Sequence, residues 1–211
     1  MRREFLQIEE DGFYGAYYPN IAKSNKAIIV MLGDAVDDRL AVSGVKWLQK
    51  LGCNVLAMSP TKKDYGHHRK AFATPLPVPG KLILVSPGMV AGADVALREE
   101  MERISQYDPM LGMGFMDAMA EIMQLSQDQN DYFSAPFGAD FNGFPPVHIL
   151  SGTFEIFHAQ IPSIVQQIKA AGVPVSLYPG EKMMHIWPYI PFSRECKEAL
   201  SLIFHIIENE N

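Results

Sequence analysis

Cysteine is scarce in this chain: two residues in 211, Cys53 and Cys196, far apart and without metal-ligand spacing. Such usage excludes a disulfide framework and a zinc-type site, and the pair reads as reduced core or helix residues of a cytoplasmic protein. Long apolar runs are missing too, so no segment reaches the length of a membrane span. The first ten residues mix both charge signs and lack the apolar stretch of a signal peptide. Basic residues fall short of acidic ones, and the resulting net charge of −6 argues against a nucleic-acid partner or an anionic membrane surface. Internal repeats, low-complexity tracts and linkers are also absent. What is present, 48% hydrophobic and 20% charged residues, is the composition of a globular protein, and 211 residues suit a single domain, 1–211, with a substantial core.

The order of elements predicts an α/β fold. Residues 4–18 alternate around Asp11-Gly12, a hairpin-turn pair, and so predict an N-terminal antiparallel hairpin. The apolar run at 27–32 reads as a strand buried on both faces. Helical spacing of Leu40, Val45, Leu48 and Leu51 predicts a helix over about 37–50, and 53–58 forms the next strand. Strand, helix and strand within about 30 residues make a βαβ unit with a parallel pair. Further strands are expected at 81–85, 147–151 and 173–178, with helices at 94–106, 114–126, 161–170 and 192–208. On the last helix the apolar positions are Ala199, Leu200, Ile203, Phe204 and Ile207. Stretch 59–80 is irregular.

Functional groups of a mostly parallel sheet collect at the carboxyl ends of its strands. Glu155 follows one such end and His185 lies in the loop after the next, an arrangement that can supply the base and its orienting acid. The other reading of Glu155 is a solvated loop acid or a helix cap. His148, His158 and His205 read as packing or surface residues, and Asp64 to His68 as a solvated loop rather than a metal site.

From Phe144 onward the chain reads Phe-Pro-Pro-Val-His-Ile-Leu-Ser-Gly-Thr-Phe-Glu, then a helix, then Gly-Val-Pro-Val-Ser-Leu-Tyr-Pro-Gly-Glu-Lys-Met-Met-His. This resembles the carboxyl half of the hormone-sensitive-lipase-like esterases of the α/β-hydrolase superfamily. There a Leu-Pro-Pro strand leads to a Gly-Thr-x-Asp/Glu turn bearing the catalytic acid, and a Pro-Gly-x-x-His turn bears the catalytic histidine. The resemblance implies those roles for Glu155 and His185. Asp108-Pro109 and Ser134-Ala135-Pro136 also stand where the family often has Asp-Pro and Ser-Pro. It further implies a parallel, helix-flanked sheet and a helical cap insertion at about 94–130. A carboxylic ester hydrolase activity on small apolar ester or acyl ligands is implied as well, with no cofactor and no metal, and a homodimer is left open.

Two departures bear on activity. Gly-x-Ser-x-Gly, the turn on which the family carries its nucleophile, occurs nowhere in the sequence. Between residues like Ser59-Pro60 and residues like Pro75-Leu76-Pro77, roughly 60 residues of two strand–helix units are expected, and only 61–74 stands there. In place of the family's His-Gly-Gly the chain has Leu32-Gly33-Asp34. Gly33 offers one backbone donor for an oxyanion, but Asp34 opposes the developing charge. Ser86 stands at a strand end as a substitute nucleophile, but Pro87 has no N–H to give the oxyanion, so Ser86 is expected to be structural. Ser151 reads as core. Phe115, Met116, Met119 and Met123 on one helix, with Trp187, are expected to line an acyl pocket, where methionine adapts to varied chains. The chain is thus expected to be an esterase by ancestry with weak or no activity. The alternatives are a non-catalytic relative that binds a small apolar ligand or a protein partner, and an internally deleted form of an active esterase.

Overall fold

A computed structural model describes residues 6–10, 13–18, 27–31, 48, 54–60, 79–88, 95–118, 141–190 and 193–209. Gly33, Cys53, Met119, Met123, Asp64 to His68, most of the expected 37–50 helix and the whole 61–74 stretch lie outside the described residues. The chain divides into two compact units, Met1–Pro77 and Val78–Asn211.

The first unit holds four strands, β1 (Leu6–Glu10), β2 (Phe13–Tyr18), β3 (Ala27–Met31) and β4 (Asn54–Pro60), in the order β1-β2-β4-β3. β1 and β2 form the expected hairpin, with Glu10 opposite Phe13 across a two-residue loop. β2 pairs antiparallel with β4, and β3 pairs parallel with β4, as the βαβ reading requires.

The second unit is a parallel sheet of β5 (Leu82–Val85), β6 (Val147–Gly152) and β7 (Val175–Gly180), with β6 in the centre. All six residues of β6 are buried. A central strand covered on both faces buries whatever it carries, so beside Val147, Ile149 and Leu150 it also buries His148 and Ser151. Its alternate residues serve opposite faces. Val147 and Ile149 pack with Ile161, Ile164 and Ile168 of α2 (Ile161–Ala170), whereas Leu150 packs with Ala199 and Ile203 of α3 (Arg194–Glu208). Each buried isoleucine in these layers is worth roughly 1.5–3 kcal/mol over an exposed one.

Local chemistry sets the helix ends. Helix α2 stops in a Schellman turn. Gly172 takes φ +73 and donates to the Lys169 carbonyl at 2.9 Å, and Val173 donates to that of Ile168 at 3.2 Å. Ser193 caps α3 by accepting the Cys196 N–H at 2.9 Å. At its far end Lys81 Nζ donates to the carbonyls of Ile206, at 2.8 Å, and Asn209. The buried stripe of α3 is Cys196, Ala199, Ile203 and Ile206. Of the expected positions Ala199 and Ile203 are buried and Leu200, Phe204 and Ile207 half-buried, with Leu200 and Ile207 packed at the edge of the same cluster, and Cys196 Sγ lies 3.0 Å from the Pro188 carbonyl oxygen. Helix α1 (Val95–Ser105) precedes a second helical piece at 113–118, and its Met101 packs with Met116, Ile156 and Phe157.

Candidate active site

Strand β6 leads into the acid turn, and Gly152 at its end is there for want of space. A Cβ at Gly152 would stand 2.1 Å from the Met183 carbonyl oxygen and 2.9 Å from that of Met184. The loop after β7 therefore crosses directly over the turn that carries Glu155. Three bonds fasten it: Thr153 N–H to the Gly180 carbonyl at 2.9 Å, Phe154 N–H to that of Met183 at 3.0 Å, and Lys182 N–H to Thr153 Oγ1 at 2.7 Å.

Glu155 is fully buried, so it is not a solvated loop acid. It occupies the N-cap position of a 3₁₀-helix, Ile156–Gln160, yet its side chain makes no cap bond and turns inward. Oε1 accepts from Ser151 Oγ at 2.7 Å and from the Gly152 N–H at 3.2 Å, and Oε2 lies 3.2 Å from His185 Nδ1. A buried carboxylate is tolerated only with such donors around it. A carboxylate in its ionised form only accepts, and a neutral imidazole facing it at this distance would present Nδ1–H and keep the lone pair on Nε2. That is the tautomer a general base needs. The His185 side chain is 18% exposed, so the imidazole stays reachable while its partner does not. Phe157 lies beside it, ring centroids 5.5 Å apart.

Ser86 closes the other side. Its backbone is left-handed, φ +50, and it is buried at the end of β5. Ser86 Oγ accepts the Ile186 N–H at 2.9 Å, and Ile186 is itself left-handed at φ +49. The hydroxyl thus ties the strand end to the loop that carries His185. Gly88, two residues on, leaves room for Phe157, whose ring carbons would stand 2.5 Å from a Cβ at that position.

The expected pocket residues do not share one environment. Met116 is buried in the cluster of Met101, Ile156 and Phe157. Phe115 is 39% exposed and stands edge-on to Phe157 at 6.4 Å. Trp187 is buried on the α3 side with Leu150, Ala199 and Ile203, a different cluster from that of Met116. Among the described residues no group of three or more His, Cys, Asp or Glu side chains is placed to hold a metal ion.

Three residues of the site escape the sequence reading. Ser151 and His158, expected to be core and packing or surface, are bonded to each other at 2.9 Å, and Ser151 to Glu155. Asp108 Oδ1 accepts the N–H groups of Met110 and Leu111 at 2.9 and 3.1 Å, an Asx turn, and Oδ2 accepts that of Ile156 at 3.0 Å. The short Ser151-x-x-x-Glu155 spacing at a strand end was the available signal for the first, and Asp108-Pro109 for the last.

A family model described as alpha/beta hydrolase fold matches residues 56–188, more than half of the chain. The chain belongs to the α/β-hydrolase fold family. Its parallel, helix-flanked sheet is the architecture of that fold. An acetyl-hydrolase of Streptomyces hygroscopicus is 26% identical over 130 residues, covering 58% of this chain and 42% of that protein. The match therefore spans well under half the length of that curated relative. Solved structures agree on the fold. A hormone-sensitive lipase from a metagenome library superposes with a TM-score of 0.80 at 16% identity, covering 97% of this α/β-hydrolase and 83% of that chain. An esterase of the bacterial hormone-sensitive lipase family gives 0.77 at the same identity and coverage. Among the described residues no helix is long and apolar enough to cross a membrane.

Proposed function

We propose that this α/β-hydrolase carries the acid–base half of a carboxylic-ester-hydrolysing site, Glu155 and His185, without the serine nucleophile. The observation that carries this reading is the buried Glu155 carboxylate facing His185 Nδ1 at 3.2 Å; with the proton on Nδ1, Nε2 is the acceptor. In acyl transfer Nε2 takes the proton of an attacking hydroxyl and returns it to the leaving alcohol. Ser86 does not supply that hydroxyl: it is buried, it accepts from Ile186, and Pro87 gives no oxyanion donor. The nucleophile would have come from strand–helix units missing around 61–74, and Gly33 would have been an oxyanion donor. Turnover is therefore weak or absent, and what remains is a surface for small apolar ester or acyl groups, to which exposed Phe115 belongs.

A fluorophosphonate probe together with p-nitrophenyl acetate and butyrate turnover tests the reading. Folded protein that neither labels nor turns over is the expected result. Labelling at one serine, lost in His185→Ala, would show a nucleophile and overturn it. Thermal stabilisation of the unlabelled protein by fatty acids would then support ligand binding.

A further inference from the structure

Glu155 serves a second imidazole. Ser151 Oγ lies 2.7 Å from Glu155 Oε1 and 2.9 Å from His158 Nδ1. The His158 N–H donates to the Glu155 carbonyl at 2.9 Å, and this first 3₁₀ turn brings position 158 back beside the acid turn. The donor count fixes the direction of the chain. The ionised carboxylate only accepts, so the single Ser151 proton points at Glu155, and the Ser151 oxygen accepts from His158 Nδ1–H. Ser151 is fully buried, so neither water nor substrate reaches it, and burial rather than the direction of its proton keeps it from acting as a nucleophile.

We propose that Ser151 and His158 are positioning residues that hold Oε1 of Glu155, so that Oε2 alone orients His185. This rests on reading Glu155 and His185 as an acid–base pair. Without the hydroxyl, Oε1 would keep only the Gly152 N–H at 3.2 Å, and the carboxylate would gain freedom about its last torsion. His158 is the half-buried end of the chain.

Long-range proton–nitrogen NMR of the imidazoles, recorded on the full chain with both rings neutral, reads each tautomer without any turnover. Both His158 and His185 are expected as Nδ1–H. Ser151→Ala should release His158 to Nε2–H and speed solvent exchange of the His185 Nδ1 proton by about 2- to 13-fold, the factor one lost hydrogen bond carries. Ser151→Thr should restore both signals. His158 as Nε2–H in the unaltered protein would overturn the proposal while leaving the acid–base pair intact, and that spectrum decides even if Ser151→Ala fails to fold. Unchanged His185 exchange in a folded Ser151→Ala protein would also overturn it. His185 lacking Nδ1–H would instead overturn the acid–base reading, and the positioning role with it.

Discussion

Gly152→Ala separates the geometry of the site from its chemistry. The added Cβ would stand 2.1 Å from the Met183 carbonyl oxygen, where real Cβ atoms essentially never come under 3.0 Å. Both sides of the contact are backbone, so no flexible side chain can swing away, and the loop itself has to retreat by about 1 Å in a close-packed interior. That loop is held to the acid turn by the Phe154–Met183 bond of 3.0 Å and carries His185 two residues on. Passed along to the imidazole, the same retreat would take the 3.2 Å contact between Glu155 and His185 past the roughly 3.5 Å at which a hydrogen bond is lost. Overpacking of this kind costs about 1–3 kcal/mol. At about 2–4 °C per kcal/mol for a chain of this size, the melting temperature should fall by about 2–12 °C. Circular dichroism melts give the stability, and the His185 Nδ1–H signal gives the geometry. Gly112→Ala, where a Cβ meets nothing within 4 Å, is the control and should stay within about 0.5 kcal/mol of the parent. A Gly152→Ala protein with the parent melting temperature and an intact His185 signal would refute the close-approach reasoning.

Other perturbations follow from single contacts. Glu155→Gln places an amide among three donors, so it should destabilise by about 1–3 kcal/mol in urea titrations and drive His185 to its Nε2–H tautomer. Asp108→Ala removes the acceptor for three backbone N–H groups and should cost about 1–3 kcal/mol, while Asp108→Asn should recover part of the loss. Burial, and secondarily the charge of Lys81, holds the His148 imidazole below its ordinary 6.5. The unfolded state therefore takes up that proton first, and the stability His148 contributes is present above pH 6.5 and lost as pH falls below it, a slope that His148→Phe should flatten in urea midpoints. Burial also raises the Cys196 thiol, whose Sγ faces the Pro188 carbonyl, so thiol reagents should modify Cys196 only after unfolding, as peptide mass mapping would show.

The strands and helices of the second unit were legible because their periodicity is undiluted. β6 is buried on both faces around Val147, Ile149 and Leu150, and Gly172 stops α2 where its sequence position says it should. The pairing of Glu155 with His185 was legible as well, since two strand-end loops of a parallel sheet lie side by side. What surrounds the pair was not. Ser151 and His158 look like ordinary core and loop residues until a 3₁₀ turn, which leaves no hydrophobic period of its own, brings His158 back against Ser151. The rotation of α3 was misjudged for a related reason. Leu200, Phe204 and Ile207 are as apolar as Ile206, and apolar character alone does not say which of them faces Leu150 and Trp187. Trp187 and Met116 were grouped by apolar character, whereas they belong to separate clusters.

The loop bearing His185 is pinned at three points, by Thr153, by the Phe154 N–H on the Met183 carbonyl and by Ser86 across 100 sequence positions. The imidazole has consequently surrendered its orientational entropy at folding rather than at encounter. A hydroxyl delivered to Nε2 from any source, an alcohol in solution or a serine grafted nearby, would meet a base already aimed. On the proposed reading of Glu155 and His185, giving such a site a nucleophile is a problem of reach rather than of rebuilding.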